Sequence, residues 1–341
     1  MVIAVEPDRR ILLLTGHAIQ TYKKTDEIDL SQLSTFTSIY TYYFRKILEE
    51  MGCFEIHMSY FQGENYEGTF YDEMELPEVD HTIGLQNKVF KSRPALFERV
   101  REITQGKVCA IGDHDWHLGP EDILFHAREA QRDPPASQSR WIGWGGDPEL
   151  FYPEKSENIL TVFVDGVYYA DTRKDDLTEE ILVEILESLP GKIKNSGFSG
   201  FELRTIGKEG LTTIHSASDA HQATRGGNPR VPYPELAKEM RKAHIFISGH
   251  SESMGLSALE ACLSGAFLII PEIFRKPFIK PDLTRDLHHL YVEVGEDPIR
   301  IPWEIVLDEM DEEKSVAMAE DKTWGSVVSR VVKELYPDLE L

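Results

Sequence analysis

Short apolar runs that close on a glycine or a polar residue alternate with stretches of helical spacing along this chain, and the alternation runs through it twice. Residues 10–15 (RILLLT), followed by Gly16 and His17, read as a buried parallel strand feeding a loop. Residues 30–51 read as a helix, with Phe36, Ile39, Tyr40, Tyr43, Phe44, Ile47 and Leu48 at helical intervals and Gly52 in the C-cap position. Strands at 53–58 and 80–85 follow, separated by an acidic loop over 63–78; then come a helix at 94–103 and a strand at 107–112. Residues 131–139 (QRDPPASQS) read as a loop. After Pro153 the pattern restarts with a strand at 158–164, a helix at 177–189 closed by Pro190 and Gly191, and a strand at 201–206. A polar loop over 215–232, a helix at 234–243, a strand at 244–248, a helix at 256–264 capped by Gly265 and a strand at 266–270 complete it. Residues 324–336 form a terminal amphipathic helix. Parallel strands need crossover connections, usually helices, so this alternation predicts two α/β halves joined near residues 145–157.

Length agrees, since 341 residues suit two domains of roughly 150 residues each. A hydrophobic fraction of 41% is enough to offset chain entropy, which excludes disorder as the dominant state. The net charge of −23 repels polyphosphates and argues against broad nucleic-acid binding, though a local basic cleft stays open. Cys53, Cys109 and Cys262 are odd in number and far apart, without a CxxC pair; they read as small core residues in a reducing compartment. No window holds about 18 uninterrupted apolar residues, and the opening residues lack the basic flank of a secretory signal. These features predict a cytoplasmic protein with no transmembrane segment.

Residues 245–271 (IFISGHSESMGLSALEACLSGAFLIIP) carry the most chemical information. A strand ends at a polar loop holding Glu252, Gly255 opens a helix, Glu260 lies one turn inside it, and Gly265 closes it before a second strand. Ligands of such sheets bind at the carboxyl ends of strands. The helix start offers unpaired N–H groups from Gly255, Leu256 and Ser257, an anion site. Carboxylates are poor phosphate ligands but good acceptors of sugar hydroxyls. A diphosphate with hydroxyls on both sides suits this constellation, and a nucleotide sugar is such a molecule.

Glu252 and Glu260 resemble the E-x7-E motif of the retaining group 1 (family 4-like) glycosyltransferases of GT-B fold, and the surrounding GLS, LEA and SG resemble that family's loop and helix. Residues 142–153 (IGWGGDPELFYP) are similar to its interdomain segment, and residues 233–250 to the helix and strand before the motif. The resemblance reaches about half the chain. It implies two Rossmann-like domains with parallel sheets facing a central cleft: an acceptor-side domain over 1–150, a nucleotide-sugar-binding domain over 151–320, and a helix in 321–341 packing back on the first. It implies that Glu252 meets the donor sugar hydroxyls and Glu260 the ribose hydroxyls, with the diphosphate on Gly255, Leu256 and Ser257. The family's diphosphate cations match Arg173 or Lys174 in part, since the two are adjacent here and spaced by about four residues in the family. His114, with His117 as the alternative, matches the family's histidine near the reacting sugar; Asp113 and Asp115 could orient either ring. Gly16 matches the first-loop glycine that approaches the phosphates. The resemblance implies an NDP-sugar donor (UDP-, GDP- or ADP-sugar) and a glycan, lipid or small-molecule acceptor, with no metal or other cofactor.

Other readings compete. Asp113-His114-Asp115 is a D-x-D that could hold Mn²⁺, but a D-x-D is common by chance and the donor site is already supplied without metal; with His117 it could form a hydrolytic metal site, which leaves E-x7-E unexplained. There is no P-loop signature and no dinucleotide-binding glycine pattern after the first strand. The imperfect cation spacing motivates a catalytically inactive nucleotide-sugar-binding partner protein. The group 1 acceptor range also includes viral DNA-modifying transferases.

Overall fold

The structure, a computed structural model, describes residues 9–15, 30–33, 36–60, 76–85, 94–111, 118–126, 138–165, 177–207, 210–224, 231–249, 256–273, 276–277, 287–294 and 299–340. It divides into two units, Met1–Gly143 with Trp324–Leu341, and Trp144–Thr323.

In the first unit, β1 (Arg9–Thr15) is sealed on both faces, with Ile11, Leu12, Leu13 and Leu14 fully buried. That is why its sequence is a continuous apolar run rather than an alternating one. α1 (Phe36–Met51) buries Ile39, Tyr40, Tyr43, Phe44 and Leu48, and Gly52 closes it with a φ of +67°. The expected helix start at residue 30 is corrected. Leu30–Gln32 is a separate 3-10 turn, and the buried Leu33 matched the helical spacing without lying on the helix. β2 (Phe54–Tyr60), β3 (His81–Gly84), α2 (Pro94–Ile103), β4 (Val108–Ile111), β5 (Ile123–His126) and β6 (Gln138–Trp141) follow. The sheet runs β2-β1-β3-β4-β5-β6 and every pair is parallel. The expected loop over 131–139 overlaps β6, which begins at Gln138. β6 pairs with β5 at the sheet edge, and its Gln138 and Arg140 are exposed, so it carries no burial pattern for a sequence reading to detect.

The second unit opens with β7 (Ile159–Asp165), α3 (Thr178–Lys192), β8 (Gly200–Gly207), β9 (Gly210–Ile214), α4 (Ala217–Thr224), α5 (Tyr233–Met240) and β10 (Ile245–Ser248). It continues with α6 (Leu256–Leu263), β11 (Phe267–Ile273), β12 (Lys276–Pro277), β13 (His289–Val294), α7 (Trp303–Glu309) and α8 (Glu312–Ala319). The seven-stranded sheet follows β12-β11-β10-β7-β8-β9, with β13 parallel to β11; β9 and β12 are antiparallel to their neighbours. One face of the sheet packs Leu160, Val162, Val164, Leu203, Ile245 and Ile247 against Ile181, Leu182 and Ile185 of α3.

Two sequence readings are corrected here. α3 passes through Pro190 and Gly191 to Lys192, because a proline in the last turn gives up only one of the final backbone bonds. The expected loop over 215–232 contains α4. Ser216 Oγ accepts from Asp219 N (3.2 Å) and Asp219 Oδ2 accepts from His215 N (3.0 Å), a capped start that the S-x-x-D spacing encodes.

α9 (Trp324–Leu335) rejoins the first unit. The Trp324 ring lies flat on Tyr43 (centroids 5.0 Å apart, 7° between planes) and edge-on to Tyr40 (4.7 Å), above a buried row of Val327, Val328, Val331 and Val332. Among the described residues no helix is long and apolar enough to cross a membrane.

Candidate functional site

The chain leaves β7 for β8 on one side of the second sheet and returns to β10 on the other. The strand order therefore reverses between β7 and β10, and ligands of doubly wound sheets bind at the carboxyl ends of such a strand pair. Here those ends are Asp165 and Ser248, which are register partners and both buried. Gly249 N–H donates to the Asp165 carbonyl, and Gly249 C=O accepts from Leu177 N (2.8 Å), which ties the start of α3 to the end of β10. A Cβ on Gly249 would lie 2.4 Å from Thr178 Oγ1 and 2.8 Å from the Asp165 carbonyl, so only glycine fits this close approach.

α6 begins after β10 with Leu256 and Ser257, both half-buried. The amino end of a helix presents N–H groups without intrahelical partners. Ala258, Leu259, Ala261, Cys262 and Leu263 are all buried, and Glu260 sits among them at 1% exposure. A carboxyl in that position is costly unless it is hydrogen-bonded. Its partner is Tyr233, the first residue of α5, whose hydroxyl donates to Glu260 Oε1. Burial pushes the Glu260 carboxyl up to about 8; the Tyr233 hydrogen bond pulls it down, and Asp165 and Asp147 push it up. The carboxyl is therefore mostly protonated at neutral pH in the free protein.

Of the residues that the sequence singles out, the structure places Leu256, Ser257 and Glu260 together on α6. Gly16, His114, Arg173, Lys174, Glu252 and Gly255 lie outside the described residues, as do Asp113, Asp115 and His117. Sequence reasoning missed Tyr233, Asp165, Asp147 and Gly249. Asp165 and Gly249 did leave a signal, an acidic residue and a glycine at the carboxyl ends of predicted strands. Tyr233 and Asp147 fall inside the two other segments that resemble the family, residues 233–250 and 142–153, but nothing local gives either a role. Among the described residues no group of three or more His, Cys, Asp or Glu side chains is placed to hold a metal ion.

A cavity of about 570 Å³ lies at the opposite, amino-terminal edge of the same sheet, lined by Lys155, Phe198, His244, Met310 and Glu312 among others. Its polar groups serve the fold. Lys155 Nζ donates to Gly265 C=O (2.5 Å) and pairs with Glu312 (3.2 Å). His244 Nδ1 accepts from Thr161 N (3.0 Å), and its Nε2–H reaches Ser156 C=O (3.1 Å).

No family model matches the chain, and no curated protein does. Solved structures do. A putative UDP-N-acetylglucosamine 2-epimerase from Listeria monocytogenes is similar at a TM-score of 0.53 and 11% identity, over 97% of each chain. Anabaena HepE, in complex with UDP and glucose, is similar at 0.51 and 10% identity, over 96% of this chain and 100% of its own. AviGT4, a glycosyltransferase involved in avilamycin A biosynthesis, is similar at 0.50 and 10% identity, over 96% of this chain and 97% of its own. The chain spans 58% of the length of the matched chain in the GtfA/B complex, at a TM-score of 0.47. The likeness shows the fold expected from the sequence, GT-B, with two α/β units built on mostly parallel sheets.

Proposed function

We propose that the chain is a retaining glycosyltransferase that moves a sugar from a nucleoside-diphosphate sugar to an acceptor hydroxyl without a metal ion. The observation that carries this reading is Glu260. It is a buried carboxyl one turn inside α6, where the strand order of the second sheet reverses, at the position that the E-x7-E motif gives to ribose hydroxyls. AviGT4, a glycosyltransferase, has the same fold, and HepE holds UDP and glucose on it; both support a nucleotide-sugar substrate.

In this reading the N–H groups at the start of α6, with Gly255, Leu256 and Ser257, hold the diphosphate. Glu260 accepts the ribose hydroxyls and Glu252 the sugar hydroxyls. Arg173 or Lys174 neutralises the charge that builds on the leaving diphosphate in the transition state. His114 and Gly16 of the first unit keep the roles that the resemblance gives them. The bond between the anomeric carbon and the diphosphate oxygen breaks, with its electron pair leaving on the diphosphate. The acceptor oxygen bonds that carbon from the same face, and its proton passes to the departing diphosphate. The acceptor is a glycan, a lipid or a small molecule. A reducing, cytoplasmic setting is supported by three free cysteines, Cys53, Cys109 and Cys262.

Calorimetric titration with UDP-, GDP- and ADP-sugars, with and without chelator, tests the reading. One donor is expected to bind saturably, to be unaffected by chelator, and to lose about tenfold or more in affinity on Glu260→Ala, which is about 1.4 kcal/mol. Binding by no donor would refute it, and binding only with Mn²⁺ would revive the Asp113 and Asp115 site. The likeness to a putative epimerase favours a second reading, in which a UDP-sugar is bound and isomerised. Incubation of the bound donor without acceptor separates the two: an epimerase converts the sugar and keeps the diphosphate bond, and a transferase leaves the donor largely unchanged until an acceptor is added.

A further inference from the structure

We propose that Tyr233 is a positioning residue for the nucleotide: its hydroxyl fixes the Glu260 carboxyl so that one oxygen is held by the protein and the other is left to accept ribose hydroxyls. The inference rests on the donor reading above and names what makes Glu260 competent within it.

Tyr233 and Glu260 are 27 residues apart in sequence, and both are buried, at 2% and 1% exposure. Tyr233 is itself held in place. It opens α5 directly after Pro232, and its ring packs edge-on against Phe151 (centroids 5.3 Å apart). A phenol has one proton to donate, and this one goes to Glu260 Oε1. Among the described residues Glu260 Oε2 has no hydrogen-bond partner. One oxygen of a carboxyl buried at a ligand-binding edge is therefore anchored, and the other is kept for a guest.

The hydrogen bond also governs charge. Among the described residues, the ionisable groups acting on Glu260 are Tyr233 from α5, Asp165 from the end of β7 and Asp147 from the segment ahead of β7. Burial and the two aspartates favour the neutral acid, and the Tyr233 bond favours the carboxylate. A carboxylate accepts on every lone pair, whereas the acid spends one oxygen as a donor. Two ribose hydroxyls that both donate are best met by the carboxylate, so Tyr233 raises the fraction of protein ready to bind at a given pH.

The test is calorimetric titration of the full chain with UDP at pH 7, 8 and 9, above the range near 6 where a terminal phosphate titrates, with GDP and ADP in parallel. With the carboxyl titrating near 8, about one tenth of the free protein is ionised at pH 7, so affinity should rise about tenfold from pH 7 to 9. Tyr233→Phe should bind more weakly than wild type at pH 7, with its rise displaced to higher pH. Glu260→Gln, which keeps the shape and cannot titrate, should bind weakly and without a rise. A Tyr233→Phe profile parallel to that of wild type would overturn the inference, because a merely structural loss lowers affinity equally at each pH. A flat wild-type profile would overturn it as well, without need of a folded Tyr233 variant. Failure of UDP, GDP and ADP to bind wild type would instead bring down the donor reading, and this inference with it.

Discussion

His244 and His81 each use a ring nitrogen as a backbone substitute, and His288 uses one on a side-chain hydroxyl. His244 precedes β10, and its Nδ1 accepts the N–H of Thr161 on β7. His81, which opens β3, accepts from Lys107 N (2.9 Å), the residue before β4. His288, before β13, meets Ser315 Oγ (3.0 Å). Burial lowers all three below the ordinary imidazole value, His244 to about 4. A base whose pKa is depressed by folding leaves stability complete above its unfolded value near 6.5 and lost as pH falls through the folded value. These three imidazoles therefore contribute a loss of stability that develops progressively between about pH 6.5 and 4, against the opposite contribution of the raised Glu260 carboxyl. His244→Phe should remove part of that slope and cost about 1–3 kcal/mol at neutral pH, because the buried Thr161 N–H loses its acceptor. Thermal unfolding across this range checks both, and an unchanged slope in the variant would refute the role given to His244.

At the scale of elements, α6 depends on how it ends as much as on how it starts. Gly265 takes a φ of +77°, and a Cβ there would lie 2.7 Å from Glu312 Cγ and 2.9 Å from Lys155 Nζ. The Lys155 ammonium caps the carbonyl end of α6, where a cation is favoured by the helix dipole, and its pairing with Glu312 ties that end to α8. Gly52, after α1, has a similar φ of +67° but nothing within 4 Å of its would-be Cβ. Gly52→Ala should cost only the left-handed backbone penalty of about 1–2 kcal/mol. Gly265→Ala should cost distinctly more, because the Lys155 and Glu312 side chains must also move. Denaturant unfolding of both variants measures the difference, and equal losses would show that the latch around Gly265 yields freely. α4 and β6 belong to this scale too. α4 is encoded by a short capping pattern inside a polar stretch, while β6 is stabilised by a backbone neighbour that its own sequence does not specify.

At the scale of the whole molecule, the first unit is discontinuous in sequence and the second is continuous. α9 closes the first unit through Trp324 on Tyr40 and Tyr43. Trp324→Ala should cost that unit about 3–5 kcal/mol through the cavity left among the aromatic rings. The second unit has its own core around β7, β10 and α3 and should be unaffected. Two units with separate cores need not unfold as one, so hydrogen exchange read separately over residues 36–60 and 159–165 is the informative measurement. Protection should fall in the first segment and hold in the second; an equal fall in both would mean that the units share their stability.

What the sequence by itself determined is local. A continuous apolar run identifies a strand buried on both faces, as in β1 and β7, and helical spacing bounded by glycine identifies α6, because burial period and backbone freedom are written in neighbouring residues. Alternation of such elements was enough for the α/β class and for the place of Glu260 on its helix. The tertiary structure alone decided the strand order that brings Asp165 beside Ser248, and the hydroxyl that reaches Glu260 from α5. It also decided the protonation of that carboxyl, which depends on burial and on Asp147 and Asp165, far from it along the chain. Desolvation and charge act through space, so their effect at a residue is absent from the sequence around it.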